Sequence, residues 1–248
     1  MLQQTPEGFR SSTTPAVEVT SQRVEIKIPV PVALLPDVLA WVRLHPAHWR
    51  KAYPRRQVNN VYFDSPTLGG LNANLGGIGE RAKLRLRWYG AEMRRVLDGQ
   101  LELKRKCGTT GWKEIAHLHT PLDLAGRHWA EVLSELRCKL PDRAARWLDC
   151  SPLPVLINSY QREYFVTPDG HLRLTVDDAL EAYDQRASVV PNLWSSLETG
   201  NDVVVELKAP IDTVTLRRLN DALSCFPISA SRFSKYVNGV LASAGFGY

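Results

Sequence analysis

Residues 81–89 read Arg-Ala-Lys-Leu-Arg-Leu-Arg-Trp-Tyr, with cations at alternate positions and mostly apolar side chains between them. Only an extended strand sorts such a run onto two opposite faces, because side chains alternate with period two. A helix would scatter the cations around its circumference. The pattern recurs elsewhere. Arg23, Glu25 and Lys27 oppose Val24, Ile26 and Ile28, and Glu102, Lys104 and Lys106 oppose Leu101 and Leu103. Arg173 and Asp177 oppose Leu172, Leu174 and Val176, while Glu206 and Lys208 oppose Val203, Val205 and Leu207. Arg162 lies between Tyr160 and Tyr164 on a further candidate strand. Such a chain must build a sheet with one greasy and one charged face.

A charged face can simply point at bulk water, as in any antiparallel sheet with one solvated side. A solvated face normally mixes Ser, Thr, Gln and both signs of charge. Here the matching faces carry ten cations (Arg23, Lys27, Lys83, Arg85, Arg87, Lys104, Lys106, Arg162, Arg173, Lys208) against four anions (Glu25, Glu102, Asp177, Glu206). That bias favours a polar lumen whose outer, apolar walls are covered by helices. The lumen would focus positive potential on a polyanion. Arginine offers a planar fork to paired phosphate oxygens, and lysine a compact point charge. The few carboxylates suit magnesium or manganese, which take one or two carboxylates plus phosphate oxygens and water.

The 248 residues suffice for one domain with a substantial core, although two small domains would also fit. Residues 22–248 are read as that single domain. Residues 1–21, rich in Gln, Ser and Thr and without an apolar run, read as a disordered leader and not a signal peptide. No apolar run approaches the roughly 20 residues that span a bilayer. Cys107, Cys138, Cys150 and Cys225 form no CxxC pair, so free thiols and a cytoplasmic location are expected. The net charge of +5 and pI of about 9.1 fit an anionic partner without choosing one.

Strands are expected over 22–29, 58–63, 80–89, 99–106, 153–166, 171–178 and 203–208, with Pro168-Asp169-Gly170 turning one hairpin. Helices are expected from Leu34 or Pro36 to Leu44, then over 129–140, 142–148, 213–223 and 232–241. The glycine-rich stretch 67–79 reads as a short helix or loop. About eight strands with marginal helices make an α+β fold with an antiparallel barrel or sheet.

The six histidines, His45, His48, His117, His119, His128 and His171, form no convincing triad and read as surface or helix-end residues. Gly69–Gly79 lacks the Lys-Ser/Thr of a P-loop. Trp88, Tyr89 and Trp112 near basic strands could stack nucleic-acid bases, but fall mostly on apolar faces or in turns and read as core. Arg50, Lys51, Arg55 and Arg56 read as a solvated surface, or as a widening of positive field at a lumen mouth.

The chain resembles the VTC domain, the module of polyphosphate polymerases within the CYTH, or triphosphate tunnel metalloenzyme, superfamily. The segments that carry the resemblance are Arg23-Val-Glu-Ile-Lys27, Val61-Tyr-Phe-Asp-Ser65, Arg81–Gly90, Leu101–Lys106, Tyr160–Tyr164, Arg173–Asp178, Val205–Lys208 and Ser234-Lys-Tyr236, in family order. The resemblance implies an eight-stranded antiparallel β-barrel tunnel with flanking helices. It implies a metal-dependent transfer of the γ-phosphoryl group of ATP to a growing polyphosphate chain. Lys83, Arg85, Arg87 and Lys104 would hold the reacting phosphates. Lys27, Lys106, Arg162, Arg173, Lys208 and Lys235 would bind phosphate further along. Glu206, with Glu25 or Glu102, would hold Mn or Mg. Arg23 stands where the superfamily's Glu-x-Glu-x-Lys signature has its first acid, which counts against a typical triphosphatase. An inorganic triphosphatase and a non-catalytic polyphosphate-binding module are the alternatives. ATP and polyphosphate are the expected partners, with any membrane partner on a separate chain.

Overall fold

Eight strands run antiparallel to their neighbours and close on themselves. The structure is a computed structural model, and it describes residues 17–20, 22–108, 110–200, 202–224, 226, 228 and 233–243. In chain order the strands are β1 (Arg23–Pro31), β2 (Arg50–Asp64), β3 (Glu80–Tyr89), β4 (Gln100–Cys107), β5 (Thr110–His117), β6 (Leu153–Val166), β7 (Arg173–Asp184) and β8 (Asp202–Pro210). Around the ring they follow the order β5-β1-β8-β7-β6-β2-β3-β4, and β4 pairs again with β5. The β5–β1 seam is held by one bridge, Arg23 with Gly111, and by the short strand Glu18–Val19, which pairs with Glu114 and Ile115.

The apolar strand faces point outward, and helices cover them. Helices α3 (Trp129–Cys138) and α4 (Asp142–Cys150) bury Trp129, Val132, Leu136, Ala144 and Leu148 against Val61, Leu84, Leu86, Trp88 and Leu101. Glu114 on β5 accepts from Arg105 on β4 and from Arg143 on α4, which fixes that helix to the wall. On the other side, α1 (Leu35–Leu44) and α5 (Thr213–Ser224) contribute Val38, Val42, Leu219 and Ala222 to a core with Ile28, Val176, Val205 and Leu207. Burial of these side chains, each worth about 1.5–3 kcal/mol for a large aliphatic, drives the sheet to roll with its charged face inside.

Two smaller helices sit near the end where β2 finishes. Helix α2 (Gly69–Leu75) is capped by Asp64, whose carboxylate accepts from the Gly70 and Leu71 amides at 2.8 and 2.9 Å. A Cβ on Gly70 would lie 3.1 Å from that carboxylate, so any larger residue would crowd the cap. Helix α6 (Lys235–Ser243) crosses close to β6, where a Cβ on Gly239 would meet Leu156 at 2.5 Å. The Tyr236 hydroxyl donates to Asp64, and its ring stacks on Tyr62.

Several expectations need correction. A strand at Thr110–His117 was not anticipated, because its inward positions mix Lys113 with Ile115 and blur the alternation. β2 starts at Arg50 and not at Val58, since its first half carries exposed charges and Pro54. Of the expected leader, residues 1–16 and 21 lie outside the described residues, and Glu18–Val19 pairs with β5. The last helix starts at Lys235, with Arg232 outside the described residues, while the stretch 67–79 holds the short helix that was one of its two expected forms. Among the described cysteines, Cys107, Cys138 and Cys150 are free; Cys225 lies outside the described residues. No described helix is long and apolar enough to cross a membrane.

Candidate functional site: a cationic barrel interior

Three lysines stand side by side on the inner wall. Lys83 pairs in register with Lys104, and Lys104 with Lys113, across β3, β4 and β5. Like charges directly opposite on neighbouring strands repel, so each needs an answer. Lys104 is paired with Glu25 from β1, and Lys113 donates to Glu102 at 2.5 Å. Lys83 has only the Ser234 hydroxyl, at 2.8 Å, and the face of the Tyr236 ring. It has no ion pair among the described residues. Burial, with the charges of Lys27, Lys104, Arg81 and Arg85, lowers its pKa to about 6. Lys104 is lowered to about 8 by burial, against the pull of Glu25.

Arg85 reaches Glu102 through Nε at 2.6 Å and through a terminal nitrogen at 2.5 Å. Glu102 is fully buried with both oxygens engaged by Arg85 and Lys113. Burial pushes its carboxyl up, but those cations and Arg87 hold it well below the usual range. Arg87 donates to the side-chain carbonyl of Asn60 at 2.8 Å and to the Tyr160 hydroxyl at 2.9 Å. Its charge therefore meets only neutral acceptors.

On the facing wall, Arg162 forks onto Asp177 at 2.5 and 2.6 Å, and Lys235 from α6 donates to the same carboxylate at 2.5 Å. Burial opposes ionisation of Asp177, but these two cations hold its pKa at about 2. Glu206 on β8 is held less tightly. Lys208, Arg162 and Lys27 surround it at 3.3, 3.6 and 3.9 Å. Burial is overcome there too, and Lys208, Lys27 and Arg162 keep the carboxyl well below its usual range. Glu25 lies on β1 diagonally from Glu206, since Lys27 pairs with Glu206 and Glu25 with Lys208. Burial and the Glu206 charge push Glu25 up, and Lys104, Lys208 and Lys27 prevail in lowering it.

These contacts bring Lys27, Lys83, Arg85, Arg87, Lys104, Arg162, Lys208, Lys235, Glu25, Glu102 and Glu206 onto one interior. Lys106 shares their face one step toward the rim, paired with Arg81. Arg173 pairs with Lys208 but is exposed at the end of β7. Three interior features escaped the sequence reading. Lys113 lies on the unanticipated strand. Thr175, opposite Glu206 in register, buries a hydroxyl with no hydrogen-bond partner among the described residues. Arg56, left open between solvated surface and lumen mouth, pairs with Arg162 and packs on tyrosine rings, a contact the sequence did not show.

The oxygen donors fit a hard divalent cation in part. No group of three His, Cys, Asp or Glu side chains is placed to enclose a metal among the described residues. Glu206, the Thr175 hydroxyl opposite it and Glu25 on the neighbouring strand supply oxygen donors on this wall. Magnesium and manganese accept such donors when phosphate and water complete the shell. Glu102 does not fit, because both of its oxygens are already engaged.

A family model described as VTC domain matches residues 22–244. No curated protein matches the chain. Among solved structures, the "putative adenylate cyclase" bh2851 of Bacillus halodurans superposes with a TM-score of 0.50 at 13% identity, over 87% of this chain and 96% of that one. A "putative adenylate cyclase" from Vibrio parahaemolyticus gives 0.47 at 12% identity, over 86% and 95%. A chain of the Schizosaccharomyces pombe Mediator head module gives 0.46 at 10% identity, over 84% and 97%.

Proposed function

Because the chain belongs to the VTC domain family, we propose that its interior binds triphosphate and polyphosphate and transfers the γ-phosphoryl group of a nucleoside triphosphate to a polyphosphate chain. The observation that carries this reading is the row Lys83–Lys104–Lys113, three amines side by side on the inner wall, of which only Lys104 and Lys113 have carboxylate partners among the described residues. A polyanion lying across the row relieves the repulsion.

Phosphoryl transfer through a loose transition state asks for positioning and charge stabilisation more than covalent help. Arg85 is held rigid by Glu102, so its remaining guanidinium face is oriented before ligand arrives. Arg87 brings a charge that meets only neutral acceptors, and Lys83, lowered by burial, gains its charge as a polyanion arrives. Arg162 and Lys235, anchored on Asp177, extend the positive track along the other wall. Glu206 and Glu25 would hold a divalent cation, whose chemistry when bound is to neutralise charge on phosphate oxygens. The ionised end of the acceptor chain is itself the nucleophile, so no serine, cysteine or general base is needed.

One observation favours a second reading, hydrolysis. Lys83, with a pKa of about 6, is largely neutral at pH 7 and can accept a proton from water. Incubation with ATP and manganese, followed by a gel, separates the two. A polymer ladder that vanishes with EDTA is expected, whereas free phosphate alone would mean a hydrolase. Arg85→Ala should lower turnover by on the order of 10²–10³-fold, the usual cost of one transition-state donor. Wild-type rates in that variant would remove the interior from the chemistry. The substitution also strips Glu102 of one of its two cations, so a modest fall in melting temperature should accompany it.

A further inference from the structure

At the end of the barrel where β2 begins, that strand breaks the period-two rule. Tyr53 pairs with Tyr164 and Arg56 with Arg162, so three residue steps on β2 match two on β6. The extra residue is a bulge around Pro54, a place where a missing N–H is tolerated. The bulge turns Tyr53 and Arg56 to the same face, which is the face of Arg162. Strict alternation would have separated them.

The result is a built aromatic group. The Arg56 guanidinium carbon lies 4.1 Å from the Tyr89 ring centroid, 5.0 Å from Tyr164 and 5.5 Å from Tyr53. Its Nε donates to the Tyr164 hydroxyl at 3.2 Å. Tyr53 meets Tyr164 edge-on, with centroids 5.5 Å apart and planes at 82°. Unlike Arg85 and Arg162, Arg56 has no ion pair among the described residues. Tyr53 remains 58% exposed although its ring is fixed from behind. A flat, immobilised and exposed aromatic at the mouth of a cationic bore is a stacking surface. From Tyr89, the inward side chains of β3 continue with Arg87 and Arg85. Arg85 therefore stands about 13 Å along β3 from Tyr89, while Tyr53 lies further out, because its partner Tyr164 is four residues beyond Tyr160, the rung of Tyr89, so that Arg162 and Arg87 fall between Tyr53 and Arg85.

We propose that Tyr53, backed by Arg56 and Tyr164, is the stacking platform for the nucleobase of the donor nucleoside triphosphate. The donor then enters from the β2-start end with its phosphates directed inward toward Arg162 and Arg87. The inference rests on the triphosphate-binding reading of the interior. Stacking uses the π-face that every base has, so the platform tolerates different bases and ranks them by stacking strength, purines ahead of pyrimidines.

Calorimetric titration tests this with two probes, a non-hydrolysable ATP analogue and inorganic tripolyphosphate, at fixed salt. Tyr53→Ala should weaken the nucleotide roughly tenfold, within the range alanine substitution gives for a stacked base. It should leave tripolyphosphate unchanged, and Tyr53→Trp should restore nucleotide affinity. Equal loss for both probes would overturn the platform, since Tyr53 would then serve the phosphate chain while the interior site stands. Unchanged nucleotide affinity would overturn it as well. If the wild-type protein bound neither probe, the interior site and the platform would fall together.

Discussion

Glu102 and Glu206 are both buried glutamates on inward strand faces, yet their surroundings differ. The β3–β4–β5 wall clamps Glu102 with Arg85 and Lys113 at 2.5–2.6 Å, and neither carboxylate oxygen is free. The β8–β1 wall leaves Glu206 in a looser ring of cations at 3.3–3.9 Å, beside the Glu25 carboxylate and the unpartnered Thr175 hydroxyl. One acid has both oxygens committed to close cations; the other, in the function proposed above, would exchange its looser partners for ligand. Residue type and burial do not separate these roles. The completeness of the ion pairing does.

Paired substitutions test that contrast most strongly. Glu102→Gln strands Arg85 and Lys113 as uncompensated buried cations, a change that costs about 3–5 kcal/mol. For a chain of this size that lowers the melting temperature by roughly 10 °C, readable by differential scanning calorimetry. Glu206→Gln should act in the other coordinate, lowering metal-dependent turnover by on the order of 10²–10³-fold. Its melting temperature should fall less, because Arg162 keeps Asp177 and the side chains of Lys27 and Lys208 are 28% and 19% exposed. An inverted result, with Glu206→Gln unfolding and Glu102→Gln merely inactive, would reverse the assignment of the two walls.

A smaller effect sharpens the same comparison through pH. Lys83 is lowered from 10.5 to about 6 by burial and by its cationic neighbours. Between those values the unfolded chain keeps a proton that the native protein has released. This group therefore adds stability as pH rises through that window and withdraws it as pH falls toward 6. A bound polyanion raises the lysine again, so binding takes up a proton. At pH 7 Lys104, lowered only to about 8, is still mostly charged. Calorimetry of tripolyphosphate binding in two buffers of different ionisation enthalpy should then read an uptake approaching about one proton. Lys83→Met should abolish most of it. Retained uptake in that variant would place the proton on another group.

The strands with strict alternation were legible in the sequence. Glu80–Tyr89 and Leu153–Val166 have the bounds that their residue pattern predicts. The inward turn of the cations was legible as well, since ten against four is a poor composition for a solvated face. Two kinds of information were not. A bulge is invisible to a period-two reading, so Arg56 stayed open between solvated surface and lumen mouth, and its tyrosines fell in no common group. Ion-pair completeness depends on a third strand. Without Thr110–His117 in place, Lys113 could not be put beside Glu102, and that glutamate kept the appearance of a metal ligand.

A wall of eight strands joined edge to edge has no side door. Any thread-like anion lodged inside leaves by sliding out lengthwise, and its escape slows as the thread grows. Among the described residues the stitch between Arg23 and Gly111, with its splint at Glu18–Val19, is the thinnest join in that wall.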